Sequence, residues 1–87
     1  MNFEVIKTQV VEILENICME KITDTSVKLL EDLSMDSLRM VMLLVMIEDT
    51  FEIELDESDM NPFALVMVQD VITFVAKYKN ESGDKNG

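Results

Sequence analysis

Leu33-Ser34-Met35-Asp36-Ser37-Leu38-Arg39-Met40-Val41-Met42-Leu43-Leu44-Val45-Met46-Ile47-Glu48-Asp49-Thr50-Phe51 decides how the rest of the chain is read. A serine preceded by an acid stands before a run, Met40 to Ile47, that contains no polar residue. Asp36 and Ser37 both favour helix starts, so the spacing predicts a helix from Asp36 or Ser37 to near Phe51. On its wheel Met40, Leu43, Leu44, Ile47 and Phe51 share one face, at the i, i+3, i+4, i+7 spacing of a core stripe. Leu38, Val41, Met42, Val45 and Met46 point the other way, interrupted only by Arg39, Glu48 and Asp49. A helix apolar on both faces is either buried on every side or keeps its outward face for a partner. A small domain has little with which to cover one helix completely. The partner-facing reading is therefore favoured over fuller burial under the neighbouring loops.

The chain has 87 residues, enough for one domain and one modest core. Its 18 acids against 7 Lys and Arg give a net charge of −11. That balance speaks against nucleic acid, whose binding rests on cations against phosphate, and suits basic protein partners. There is no histidine and a single cysteine, Cys18. Zinc sites of several His or Cys ligands are thereby excluded, as are a Cys–His pair and an intramolecular disulfide. No catalytic residue and no metal site is expected; the chain is not read as an enzyme. Cys18 reads as a small apolar residue near a helix end. Met1 to Lys7 lacks the apolar core of a signal peptide, and the eight-residue apolar run is far short of a membrane span. A cytoplasmic monomer without membrane insertion is expected.

Outward from the central stretch, Phe3, Ile6, Val10, Ile13, Leu14 and Ile17 recur at intervals of three and four. They predict a core helix over Asn2 to Met19, with Asn2 as its cap and Glu4 favouring the first turn. Glu20 to Met35 has no sustained period and holds the turn-favouring Thr23, Asp24, Thr25 and Ser26. Its Val27, Leu29, Leu30 and Leu33 are apolar, so this long loop is expected to lie across the domain. Seven acids, Glu48, Asp49, Glu52, Glu54, Asp56, Glu57 and Asp59, form an acidic run. The spacing of an EF-hand with its central glycine is absent from it, so a dedicated calcium site is not expected. Pro62 suits the first turn of a short third helix over Pro62 to Leu65. Val68, Val71, Ile72, Val75 and Tyr78 predict a last helix from Met67 to Lys79, with Lys77 and Lys79 complementing the dipole at its end. The polar 80–87 segment reads as a flexible tail after a single 1–79 domain. The expected architecture is all-α: a four-helix bundle with three longer helices, one short one and a long first loop.

On the residues alone, Asp36-Ser37 has two readings. Both are good helix caps, and caps need no further purpose. A helix N-terminus also offers free N–H groups and a positive dipole end, a favourable place for an attached phosphate.

Leu33-Ser34-Met35-Asp36-Ser37-Leu38 resembles the modification motif of the acyl carrier protein family, whose core is Asp-Ser-Leu. The resemblance continues through Leu43 to Ile53, resumes in Val68-Gln69-Asp70-Val71-Ile72, and covers Phe3 to Tyr78. It implies the acyl-carrier type of four-helix bundle. It also implies that a phosphopantetheinyl transferase moves 4′-phosphopantetheine from coenzyme A onto Ser37, with Asp36 helping that enzyme handle the site. The arm would carry an acyl group as a thioester between partner enzymes. Docking would fall on Leu38, Arg39, Val41, Met42, Val45 and Met46, with Glu48 and Asp49 meeting basic rims on acyl-loading and acyl-processing enzymes.

The chain departs from the family at several positions. Ser34 stands where Gly is frequent, Met35 where a small residue is, and Arg39 and Met42 where fatty-acid carriers are acidic or polar. These differences favour a polyketide or nonribosomal-peptide pathway over housekeeping fatty-acid synthesis. Met35 and Asp36 fit the peptidyl-type carriers, which have Gly and often His there, less well. An aminoacyl or peptidyl carrier, or an unmodified helical interaction module, remains the alternative.

The concentrated negative charge makes the first testable expectation. Salt screens like-charge repulsion in the compact state, so the melting temperature should rise between low and moderate ionic strength. A salt-independent midpoint in a thermal scan would contradict it.

Overall fold

Three apolar stripes at helical spacing become three α-helices: α1 (Phe3–Cys18), α2 (Ser37–Phe51) and α3 (Val68–Asn86). The computed structural model describes residues 2–86, with the backbone alone at Pro62 and at 81–86. No strand is formed among the described residues beyond one isolated bridge, Lys28 to Met67. The expected fourth helix is not one. Pro62–Ala64 is a 3-10 turn, and a second such turn occupies Glu57–Asp59. So short a segment cannot close successive i→i−4 bonds. It is held instead by the Ala64 amide donating to the Asn61 carbonyl at 3.2 Å and the Phe63 amide to Asn61 Oδ1 at 3.1 Å.

The core is aliphatic. Ile6, Val10, Ile13 and Leu14 of α1 and Met40, Leu43, Leu44, Ile47 and Phe51 of α2 are buried together with Val68, Val71, Ile72 and Val75 of α3. The α2 stripe is thus buried in full, as the wheel required. The α1 stripe is shorter than expected. Phe3, on the first turn, is exposed, and Ile17, on the last, is half-buried and packs against the edge of the core. Asn2 caps α1, its Oδ1 accepting from the Glu4 amide at 2.7 Å. At the start of α3, Asp70 Oδ2 reaches back to the amides of Val66 (3.0 Å) and Met67 (2.9 Å), satisfying donors a helix start leaves free.

The long loop after α1 does lie across the domain. Leu29 and Leu33 are buried, while Leu30 is exposed. Its backbone is tied to the start of α3: the Leu29 amide donates to Val66 (2.9 Å), Val68 to Val27 (3.1 Å) and Gln69 to Thr25 (2.8 Å). These bonds fix where the chain stands when it enters α2.

Both α1 and α2 end the same way. Met19 (φ 56°) and Glu52 (φ 53°) take the left-handed conformation, and their amides donate to the carbonyls of Glu15 and Glu48. That position usually goes to glycine. The two glycines of this chain lie at positions 83 and 87, so other residues adopt it. Lys79 was expected to serve the end of its own helix. Its Nζ instead donates to the Phe51 carbonyl at 3.0 Å, capping α2 from α3. α3 itself continues past Lys79 through the segment expected as a tail, since adding residues to a formed helix is easy and no proline intervenes. Gly87 lies outside the described residues.

The two faces of α2 can be compared directly. Leu43→Ala should cost about 2–5 kcal/mol as a core truncation. Met42→Ala, on the exposed face, should cost less than about 1 kcal/mol. Urea unfolding of the two variants checks the orientation, and equal losses would refute it.

Candidate functional site

The approach to Ser37 is built from the loop inward. Residues 28–35 fold back on themselves. The Lys28 carbonyl accepts from the amides of Asp32 (2.9 Å) and Leu33 (3.1 Å), and Leu29 accepts from Met35 (3.1 Å). Asp32 Oδ2 accepts from the Lys28 amide at 2.7 Å. Ser34 has φ 54°, a left-handed conformation that glycine adopts without steric cost. The turn at Ser34 drops Met35 into the core, 4% exposed, where its Sδ lies 3.3 Å from Cys18 Sγ at the end of α1. Burial pushes the Cys18 thiol up from its ordinary value; the nearby Arg39 charge works the other way, and Glu20 adds to the rise. Cys18 is therefore a neutral thiol at pH 7, packed as the sequence implied.

Asp36 is the N-cap of α2, in extended backbone, with Oδ1 accepting from the Arg39 amide at 2.8 Å. Its carbonyl accepts from the Met40 amide at 2.9 Å. The Ser37 and Leu38 amides stand ahead of the first helical bond and have no intrahelical partner. Ser37 is the first residue of α2 and is exposed. A hydroxyl free in solvent, beside unpartnered amides at the positive end of a helix, fits an esterified phosphate.

Beyond it, Leu38 (69% exposed), Val41, Met42 and Val45 form the outward apolar face of α2. Met46 does not belong with them: it is half-buried and packs against the core, on the flank between the two stripes. Arg39 and Asp49 are exposed. Glu48 differs from Asp49. It is half-buried, and its Oε2 accepts from the Leu55 amide at 2.9 Å, so this carboxylate is committed to the backbone of the next loop.

Glu15 does the same at the end of α1, its Oε2 accepting from the Ile22 amide at 2.7 Å. In both places a glutamate precedes a left-handed residue by four and a buried apolar residue, Ile22 or Leu55, by seven. This repeated hook was not read from the sequence. Its signal was there, in the common spacing of Glu15–Met19–Ile22 and Glu48–Glu52–Leu55.

Another latch was also missed. The Asp56 amide donates to the Tyr78 hydroxyl at 2.9 Å, and that hydroxyl donates to Asp59 Oδ2, tying the acidic run to α3. Desolvation, with the Asp59 carboxylate, raises the phenol above its ordinary value. Among the described residues no group of acids is placed to hold a metal ion. No helix among them is long and apolar enough to cross a membrane.

A family profile described as a phosphopantetheine attachment site matches residues 6–75. An acyl carrier protein of Campylobacter lari is 34% identical over 73 residues, covering 84% of this chain and 90% of the relative. One from Campylobacter concisus is 40% identical over 50 residues, but there the match spans 62% of the relative's length and 58% of this chain. The crystal structure of an acyl carrier protein from Thermotoga maritima superposes with a TM-score of 0.71, covering 93% of this chain and 94% of that one. At 22% identity that likeness establishes the fold.

The two neighbouring acids of α2 should separate by stability. Glu48→Ala leaves the Leu55 amide without its acceptor and should cost about 1–3 kcal/mol. Asp49→Ala should stay within about 0.5 kcal/mol. Denaturant midpoints of the two variants measure the difference, and Glu48→Gln should keep most of the lost stability.

Proposed function

The chain belongs to the acyl carrier protein family of phosphopantetheine-attachment proteins, and from that premise we propose that Ser37 bears 4′-phosphopantetheine and that α2 presents it to partner enzymes. The observation that supports this most is the position of Ser37. It is an exposed hydroxyl on the first residue of a capped helix, at one end of an exposed apolar face. Proteins of this family are carriers and not enzymes, and this chain assigns no residue a catalytic part.

In this reading the Ser37 oxygen forms the new phosphoester bond, its proton leaves to a base of the transferase, and the pyrophosphate bond of coenzyme A breaks to release adenosine 3′,5′-bisphosphate. Asp36 holds the helix start still, since the carboxylate that binds the Arg39 amide fixes the turn on which Ser37 stands. The thiol at the end of the bound arm supplies the thioester chemistry. Leu38, Val41, Met42 and Val45 make the contact with partners, Arg39 and Asp49 flank it, and Met46 supports it from below. Glu48, occupied by Leu55, keeps the far end of the face in shape and adds its charge to that of Asp49. Complementary charge on a partner speeds encounter and sets orientation more than it adds affinity.

The carrier unit is taken as residues 1–79, a boundary supported by the Lys79 Nζ bond to the Phe51 carbonyl, which ties that point of α3 to α2. The cargo is proposed to be an acyl group, in a fatty-acid-like, polyketide or nonribosomal-peptide pathway. Buried Met35 and exposed Arg39, both unusual at their positions, favour a specialised pathway; an aminoacyl cargo is the alternative. The phosphopantetheinyl transferase and the processing enzymes are expected in the same compartment, the cytoplasm.

Intact mass after incubation with coenzyme A and a broad-specificity transferase is the test. The protein should gain one phosphopantetheine, about 340 Da, as a covalent modification. The gain should vanish in Ser37→Ala. No gain in the unmutated chain overturns the carrier reading and leaves an unmodified interaction module, for which Val41→Asp rather than Ser37→Ala would abolish binding.

A further inference from the structure

Six of the seven cations in this chain are lysines; the one arginine is Arg39. It is also the sole cation between Lys28 and Lys77, a span that carries the whole acidic run. Its side chain is exposed and makes no hydrogen bond or ion pair among the described residues, where Lys28–Glu31 is the ion pair formed. Lys7, Lys21 and Lys77 have no side-chain partner among the described residues either, but none of them lies on α2. Arg39 stands beside Leu38 and Met42, on the rim of an uncovered apolar face. Guanidinium is more weakly hydrated than ammonium and binds carboxylate through two parallel bonds, which suits it to contacts that become desolvated. Asp49 lies along the same face, beyond Val45.

At the Ser37 end the face carries Arg39 beside the capping carboxylate of Asp36, and at the far end it carries acids alone, Asp49 and Glu48. A partner with a uniformly basic rim would meet repulsion at Arg39. We infer that the protein docking on α2 is one whose apolar contact is flanked by a carboxylate opposite Arg39 and a basic group opposite Asp49. This polarity makes Arg39 a specificity-determining residue. It admits partners in one direction along α2 and disfavours those that read acids alone. The inference rests on the carrier reading only in taking α2 as the docking element.

Two synthetic amphipathic helical peptides with the same leucine face test it. One carries lysines at both ends of that face, the other lysines at one end and glutamates at the other. Their affinities for the full chain are measured by fluorescence anisotropy at low salt. Arg39→Glu should shift the ratio of the two affinities about tenfold toward the all-lysine peptide, the size expected when exposed pairs change from attraction to repulsion. Arg39→Gln should shift it part of the way. Lys7→Glu, with the same net charge as Arg39→Glu, should leave the ratio unchanged. An equal shift in Lys7→Glu would mean that total charge alone is read, and would overturn the inference. So would no shift in either Arg39 variant, or binding of neither peptide. Since Ser37 loading is measured separately by mass, a protein that accepts phosphopantetheine but shows no shift refutes this inference and leaves the carrier reading standing.

Discussion

Burial of the Met40–Phe51 stripe of α2 is the contact on which the rest of the structure depends. Five side chains of one helix, none more than 1% exposed, lie in the shared core, where α2 packs on α1 and on the 62–64 turn. Truncating any of them would leave a cavity that a domain this size cannot collapse around at small cost. That burial also underlies the proposed function. With one face of α2 fixed inward, its opposite face has nowhere to go but outward, and Ser37 is placed at the solvent end of the same helix. The proposed attachment point and the proposed docking surface are thus two results of one packing decision.

Most of the helical framework was legible because it rests on period. The stripes of α1, α2 and α3 repeat every three to four residues over several turns, and Asn2 and Asp36 are chemically suited to the caps they form. The exposed apolar face could be read for the same reason: the residues left over after the core stripe had to point away from it. What failed were features in which local pattern and tertiary contact disagree. Phe3 keeps the period but is exposed on the first turn of α1, and Met46 falls on the boundary between faces, where wheel position alone does not decide burial. Pro62–Ala64 has a helix-opening residue but not the length to be an α-helix.

The roles of individual polar groups were the least legible part of the site. Glu48 and Asp49 are adjacent acids, equal in composition and charge, yet one is bonded to Leu55 and the other faces solvent. Which is which depends on where the following loop returns, and that is a tertiary fact. The same holds for Lys79, whose ammonium lies near a helix C-terminus as expected, but that of another helix. Ser34 and Met35 looked like two unrelated departures from a motif. The left-handed turn at the first is what delivers the second to Cys18, so they form a single local arrangement.

The paired glutamate hooks have a consequence for how the molecule moves. A carboxylate in the last turn of a helix is repelled by the negative end of the helix dipole. Glu15 and Glu48 occupy such positions and are held there by amides of the succeeding loops. Neither part is then independent of the other. If the loop detaches, the glutamate becomes an unfavourable charge that loosens the last turn; if the last turn frays, the loop loses its anchor. Each helix end and the loop after it form one cooperative unit of local unfolding, opening together or not at all.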